Sequence, residues 1–274
     1  MRCAWKEFLG IIPQCIREDV NRCGREHLQE LRLRINAPPE LVLPEKRLLL
    51  EQNITQRDLD FVINTATKYS PWSAASSSQG YITAPGGHRI GLCGEVVLKD
   101  GHVAGIRSIR SICIRVARDF PGIGKAAAAL NSSVLILGAP GTGKTTLLRD
   151  IIRHLAKTRH VAVVDERNEL FPINFEQGIY QDTLSGCSKE EGVEMLLRTM
   201  GPEFIAVDEI TAEKDSLALI QASCCGVFLL ATAHAGSLED FYNRRAYAPI
   251  RESMIFQNVL VLHKNKTFTM ERMK

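Results

Sequence analysis

The chain is 274 residues long, 45% hydrophobic and 24% charged, with a formal net charge of +3 at neutral pH. It reads as an ordinary globular protein with apolar material for one large core or two modest ones. No apolar run approaches the ~20 residues of a membrane-crossing helix, and so small a charge does not by itself predict nucleic-acid binding.

The basic excess sits early: 17 Lys+Arg stand against 13 Asp+Glu up to residue 120, and 17 against 18 after it. The opening MRCAWKEFLGIIPQC holds one short apolar patch broken by Pro13. It lacks a signal-peptide core, so a cytoplasmic location is expected. The eight cysteines (Cys3, Cys15, Cys23, Cys93, Cys113, Cys187, Cys224 and Cys225) form no C-x-x-C pair and are expected to be reduced and structural.

In chain order, Glu30 to Ile35 alternates polar and apolar, which predicts a half-buried strand with Arg32 and Arg34 on one face. Asn36-Ala37-Pro38-Pro39 ends it, and Leu41–Leu43 and Leu48–Leu50 read as short strands. Thr55 is an N-cap for a helix whose apolar face is Leu59, Val62, Ile63 and Ala66, running up to Ser70-Pro71. Residues 80–118 read as a β-meander: Tyr81 to Thr83, Arg89 to Leu98, the hairpin signal Asp100-Gly101, then Val103 to Ile106 and Ile109 to Val116. Pro121-Gly122-Ile123-Gly124 marks a hinge, dividing an α+β domain (1–120) from a second domain (121–274).

Beyond the hinge, strands are expected at 134–137, 161–165, 204–208, 227–232 and 258–262, and helices at 143–156, 188–200 and about 212–224. Ser188 with Glu191 has the spacing of a capping box. Strands separated by helices predict a parallel sheet covered on both faces, with ligands at the carboxyl ends of its strands.

The first of those strands runs into Gly138-Ala139-Pro140-Gly141-Thr142-Gly143-Lys144-Thr145-Thr146, which matches the phosphate-loop pattern at every fixed position. Glycines let backbone N–H groups turn around phosphate oxygens, and the following helix adds its positive dipole end. Lys144 is expected on the β- and γ-phosphates of ATP, and Thr145 on Mg²⁺. The third strand ends in Asp208-Glu209, read as an Mg²⁺ ligand and the group that polarises the attacking water. Asp165-Glu166-Arg167-Asn168-Glu169 repeats the acidic theme, with Glu166 and then Glu169 as candidates for the metal or the water, or for a structural salt bridge. His234, after Ala231-Thr232-Ala233, is placed to report on the γ-phosphate.

Arginines crowd the segment before the hinge: Arg107, Arg110, Arg115 and Arg118. Phosphoryl transfer is assisted by an arginine delivered from outside the site, so one of these, or Arg32 or Arg34 on the early strand, is a candidate from the first domain or a neighbouring subunit, with Arg115 taken first. Within the second domain only Arg167 and Arg198 lie near the acid pairs in sequence. A solvated basic face or a nucleic-acid contact is the other reading of these arginines.

With these residues in place, the chain resembles the stage III sporulation protein AA family, itself similar to the hexameric ATPases of type II and type IV secretion systems. The resemblance is carried by Glu30–Arg34, Gly80–Thr83, Gly87–Glu95, Ser111–Arg115, the phosphate loop, Val164–Glu169, Val207–Ile210 and Ala231–His234. Cys113 stands where the family usually has Asn, and Thr211 where it usually has Gly. The resemblance implies a RecA-like P-loop NTPase domain preceded by a smaller α+β domain, a homo-oligomeric ring expected to be a hexamer, and ATP with Mg²⁺. It also implies a cytoplasmic mother-cell ATPase, peripheral to the membrane, that docks on channel proteins between mother cell and forespore. Residues 165–169 would be its acidic box and His234 its histidine box, and the ring would put active sites between subunits. Two other readings stay open: a nucleotide-gated structural ring with little hydrolysis, and a nucleic-acid-acting P-loop ATPase. The near-zero charge of the second domain counts against the latter.

Overall fold

A computed structural model describes residues 1–68, 80–172 and 175–273. The expected helix stop at Ser70-Pro71 lies outside them. The chain divides into two compact units, one of Met1–Asp119 and one that runs over Phe120–Phe171 and on from Phe175.

The first unit contains α1 (Trp5–Ile11), α2 (Gln14–Cys23), β1 (Glu30–Arg34), β2 (Glu40–Val42), β3 (Arg47–Leu49), α3 (Gln56–Ala66), β4 (Tyr81–Thr83), β5 (Arg89–Lys99) and β6 (His102–Arg115). The strands form one antiparallel sheet ordered β3-β2-β1-β6-β5-β4. Alternation along each strand sends Leu31, Leu33, Ile90, Leu92, Ile112 and Ile114 into a core with Phe8 and Ile11 of α1 and Leu59 and Val62 of α3. Glu30, Arg32, Arg34 and Arg115 take the other phase. Thr55 caps α3 as expected, in a full capping box with Asp58. The two segments expected at 103–106 and 109–116 are one strand, β6. Ser108, in a left-handed conformation (φ 47°), marks the irregularity opposite Gly94 that breaks the sequence pattern in two.

His88 is fully buried in this unit. Its Nδ1 accepts from the Ala117 N–H (3.1 Å), so the ring proton lies on Nε2, which donates to the Ala4 carbonyl (3.0 Å). Burial lowers its pKa below the usual histidine value, although the Ala4 bond opposes this. The unfolded chain therefore takes up a proton near pH 6.5 that the folded chain refuses, and stability falls as pH drops below that value. The slope from this one proton has a ceiling of about 1.4 kcal/mol per pH unit. Urea denaturation between pH 7 and 5 should show a steeper loss for wild type than for His88→Gln, which has no proton to gain. Equal slopes would show that His88 does not titrate on unfolding.

The second unit contains α4 (Lys125–Ala128), β7 (Val134–Gly138), α5 (Lys144–Leu155), β8 (Val161–Asp165), β9 (Gln181–Ser185), α6 (Lys189–Thr199), β10 (Phe204–Ile210), α7 (Glu213–Cys224), β11 (Phe228–Ala233), α8 (Leu238–Asn243), α9 (Ala248–Ser253), β12 (Asn258–Leu262) and β13 (Phe268–Arg272). The sheet order is β13-β12-β7-β11-β10-β8-β9, parallel except for β13. The five inner strands, β12, β7, β11, β10 and β8, are apolar in both phases because both faces are covered. Leu135, Leu137, Val164, Ile205 and Val207 pack with Val193, Leu196 and Leu219 of α6 and α7. Ile136, Val163, Phe204 and Ala206 pack on the opposite face with Leu148, Ile151 and Ile152 of α5. All five strands expected from the sequence are present, each within two residues of its expected ends. The polar edge strand β9 and the closing strand β13 were not foreseen. Only half of the expected capping box forms at α6: Ser188 accepts from the Glu191 N–H, and its own hydroxyl donates to the Glu191 carboxylate.

Candidate functional site

The site lies at the carboxyl ends of β7, β8, β10 and β11. Gly138 closes β7, where a Cβ would come within 2.5 Å of the Thr142 hydroxyl oxygen and 3.2 Å of the Leu262 carbonyl, so only glycine fits. Gly143, with φ 107°, lets the loop reverse into α5. Between them the Thr142 hydroxyl and N–H both donate to the Ala139 carbonyl (2.8 and 3.3 Å). From the β12–β13 turn, Lys266 Nζ donates to the outward carbonyls of Gly141 (2.7 Å) and Thr142 (3.2 Å). Pro140 is exposed on the crest, and Thr146 sits in the first turn of α5.

Lys144 is buried at the head of α5. Its ammonium donates to the carbonyls of Gly138 (2.9 Å) and Ala139 (3.2 Å) and to His234 Nδ1 (3.0 Å). Burial pulls its pKa below the ordinary lysine value, against the field of Asp208 and Glu209. An ammonium can only donate, so His234 Nδ1 accepts and the ring proton lies on Nε2. That nitrogen is 3.0 Å from Glu209 Oε1. His234 thus joins the phosphate-loop lysine to the second acid of β10. Its backbone N–H is held by the Tyr247 hydroxyl (3.2 Å).

The two acids are set by a local irregularity. The pairing of β10 with β11 shifts register between Val207 and Ile210, and Glu209 adopts a left-handed conformation (φ 48°), unusual for a residue with a side chain. Thr232, fully buried on β11, holds both: its hydroxyl donates to Asp208 Oδ1 (2.6 Å) and accepts from the Glu209 N–H (2.9 Å). Asp208 Oδ2 accepts from the Thr145 hydroxyl (2.7 Å). Arg167 Nη1 stands 3.4 Å from Glu209 Oε2.

At the end of β8 the acids divide their work. Asp165 is buried and accepts the N–H groups of Glu169 (2.8 Å), Leu170 (3.1 Å) and Phe171 (2.9 Å), which is a structural task. Burial raises its pKa, opposed by the bonds from Phe171 and Leu170. Arg149 on α5 holds the same turn through the carbonyls of Leu170 and Glu169. Glu166 and Glu169 face a pocket they share with Asp165, Arg167, Lys189, Asp208 and Glu209. Glu166 accepts from Lys189.

Sequence reasoning assigned no role to Thr232, Lys189, Arg149 or Lys266. A threonine two residues before the histidine was a readable signal for the first; the other three are visible only once the strands are side by side. The arginines before the hinge all have partners within their own unit: Arg115 lies 3.3 Å from Glu30, Arg107 and Arg110 lie near Glu95, and Arg118 donates to the Glu26 carbonyl. Arg198 pairs with Glu194 on the exposed face of α6. Cys113 Sγ sits 3.5 Å from Glu30, and Thr211 donates to Asp215 through both its N–H (2.9 Å) and hydroxyl (3.1 Å).

The residues present fit a magnesium nucleotide. Thr145 and Asp208 bring two hard oxygen groups together beside the loop, and among the described residues no cluster of three or more His, Cys, Asp or Glu forms a protein-only metal cage. Such partial ligation suits Mg²⁺, which keeps waters and phosphate oxygens in its shell.

The family described as sporulation stage III, protein AA matches residues 6–271. Stage III sporulation protein AA of Bacillus subtilis (strain 168) is 33% identical over 282 residues, covering 95% of this chain and 91% of that protein. Among solved structures, the Legionella pneumophila ATPase DotB has a TM-score of 0.60 at 18% identity, covering 94% of this chain and 79% of DotB. The pilus retraction motor PilT with bound ADP has a TM-score of 0.61 at 14% identity, covering 89% of this chain and 76% of PilT. The fold is thus that of secretion-type P-loop ATPases. The extent of the family match and the identity to the Bacillus protein together show that this chain belongs to the stage III sporulation protein AA family.

Proposed function

We propose that the chain binds ATP and hydrolyses it as a secretion-type ring motor of the sporulation apparatus. The observation that carries this is the connected set Lys144–His234–Glu209 and Thr145–Asp208–Thr232 at the strand ends. A phosphate-binding turn alone needs none of the groups beyond the loop. Lys144 and the N–H groups of Gly141 to Thr146 would bind the β- and γ-phosphates. Thr145 and Asp208 would hold Mg²⁺, which when bound neutralises charge on the phosphates. Glu209 would orient a water and take its proton, and His234 would sense whether Lys144 is engaged by phosphate or by the ring. Glu166 is assigned a second part in placing the water.

The family and the ATPase fold neighbours support the same reading. We assign the assembly as a homo-oligomer, a hexamer, with Arg115 reaching the γ-phosphate of a neighbouring subunit. No helix among the described residues is long and apolar enough to cross a membrane. We place its action in the mother-cell cytoplasm, as a peripheral subunit on membrane channel proteins and not on nucleic acid.

Steady-state ATP hydrolysis across protein concentration tests this. Activity per subunit should rise with concentration and then level off as shared sites assemble. Bound nucleotide with no turnover at any concentration would instead favour a nucleotide-gated structural ring.

A further inference from the structure

Lys189 occupies the first position of α6 and is buried. Both facts work against it. The amino end of a helix carries the positive end of the peptide dipoles, and burial costs an ammonium its hydration. Carboxylates from two other elements offset this. Lys189 Nζ donates to Glu166 at the end of β8 and lies 3.8 Å from Asp215 Oδ2 in the first turn of α7. Asp215 in turn accepts the N–H groups of Thr211 (2.9 Å) and Ala212 (3.1 Å). Those residues form the turn that leaves β10 immediately after Asp208 and Glu209. One ammonium therefore links the acid at the end of β8 to the turn behind the acid pair of β10.

The pocket at this point is lined by five carboxylates (Asp165, Glu166, Glu169, Asp208 and Glu209) and two cations (Arg167 and Lys189). Arg167 is placed on Glu209. Without Lys189, the neighbouring acids would repel Glu166, whose partly exposed side chain has an open route to solvent.

We infer that Lys189 is a positioning residue for the hydrolysis proposed above: its ammonium holds the Glu166 carboxylate in the pocket and ties it to the Thr211–Asp215 turn. The inference deepens the ATPase reading and rests on it. It requires Lys189 to act through Glu166, which a buried pair serving stability alone does not.

The test is a double-mutant cycle on the full chain, with kcat, KM and nucleotide affinity measured for wild type, Lys189→Met, Lys189→Arg, Glu166→Gln and the Lys189→Met/Glu166→Gln pair. Lys189→Met should lower kcat about 10- to 100-fold, the usual cost of losing a group that orients a catalytic ligand, with nucleotide affinity kept within about 2-fold. Lys189→Arg should recover most of the rate. In the Glu166→Gln background the lysine change should cost no further activity. Wild-type kcat in Lys189→Met, a loss confined to KM, or losses that multiply in the pair would each overturn the inference while leaving the ATPase reading intact. A wild type that binds ATP without hydrolysing it would overturn that reading and this inference together. If Lys189→Met does not fold, Lys189→Gln, which keeps a donor without the charge, carries the same cycle.

Discussion

Lys144→Met is expected to weaken nucleotide binding about 10- to 100-fold while the protein stays folded. The ammonium has three hydrogens, and the fold supplies three acceptors for them: the Gly138 and Ala139 carbonyls and His234 Nδ1. A phosphate replaces weak neutral acceptors with an anionic one. A hydrogen bond to a charged group is worth ~1.5–3 kcal/mol, which is where the expected factor comes from. Stability is governed by a different balance. Burial already disfavours the charged amine, as its lowered pKa records, so an apolar chain of similar length removes a desolvation cost together with three modest bonds. Binding of a fluorescent ATP analogue, with a thermal melt as control, reads both quantities. Undiminished affinity in a folded Lys144→Met protein would mean that the phosphates bind somewhere other than this loop.

Much of that site was legible in the sequence, for a physical reason. A phosphate loop is local: strand, glycines, lysine, threonine and helix follow one another within about twenty residues, and each leaves its own trace in residue type. The acid-ended strand and the Thr232–His234 strand end were readable because parallel sheets gather their strand ends at one edge. What sequence could not show is which ends become neighbours. The order β7-β11-β10-β8 puts Thr232 between Asp208 and the Glu209 backbone, and it puts His234 between Lys144 and Glu209. None of these pairings follows from sequence separation. The misses in the fold have similar causes. β9 is a polar strand, Gln181-Asp182-Thr183-Leu184-Ser185, at the sheet edge beside β8, so it lacks the apolar signature of its neighbours. The six-residue helices α8 and α9 are too short to display a period. Gly94 and Ser108 interrupt the apolar pattern of a hairpin that continues through them.

Glu209→Gln should keep nucleotide affinity within about 3-fold and lower turnover about 10²- to 10⁴-fold, the range lost with a general base. Gln has the same shape and can keep the left-handed backbone at 209, whose conformation is imposed by the register shift and the bond to Thr232 and not by the carboxylate. What changes is charge and acceptor count. The carboxylate presents one oxygen to His234 Nε2 (3.0 Å) and the other toward Arg167 Nη1 (3.4 Å), and both neighbours are donors. An amide satisfies only one of them and turns its own NH₂ toward the other. It has no basic oxygen to accept a proton from water. The phosphate loop, Thr145 and Asp208 are untouched, so binding survives. Equal hydrolysis by wild type and Glu209→Gln would move the base to the carboxylate across the pocket, Glu166. Glu166→Gln would then be the inactive variant, and Lys189, which holds Glu166, would become the more sensitive of the two pocket cations.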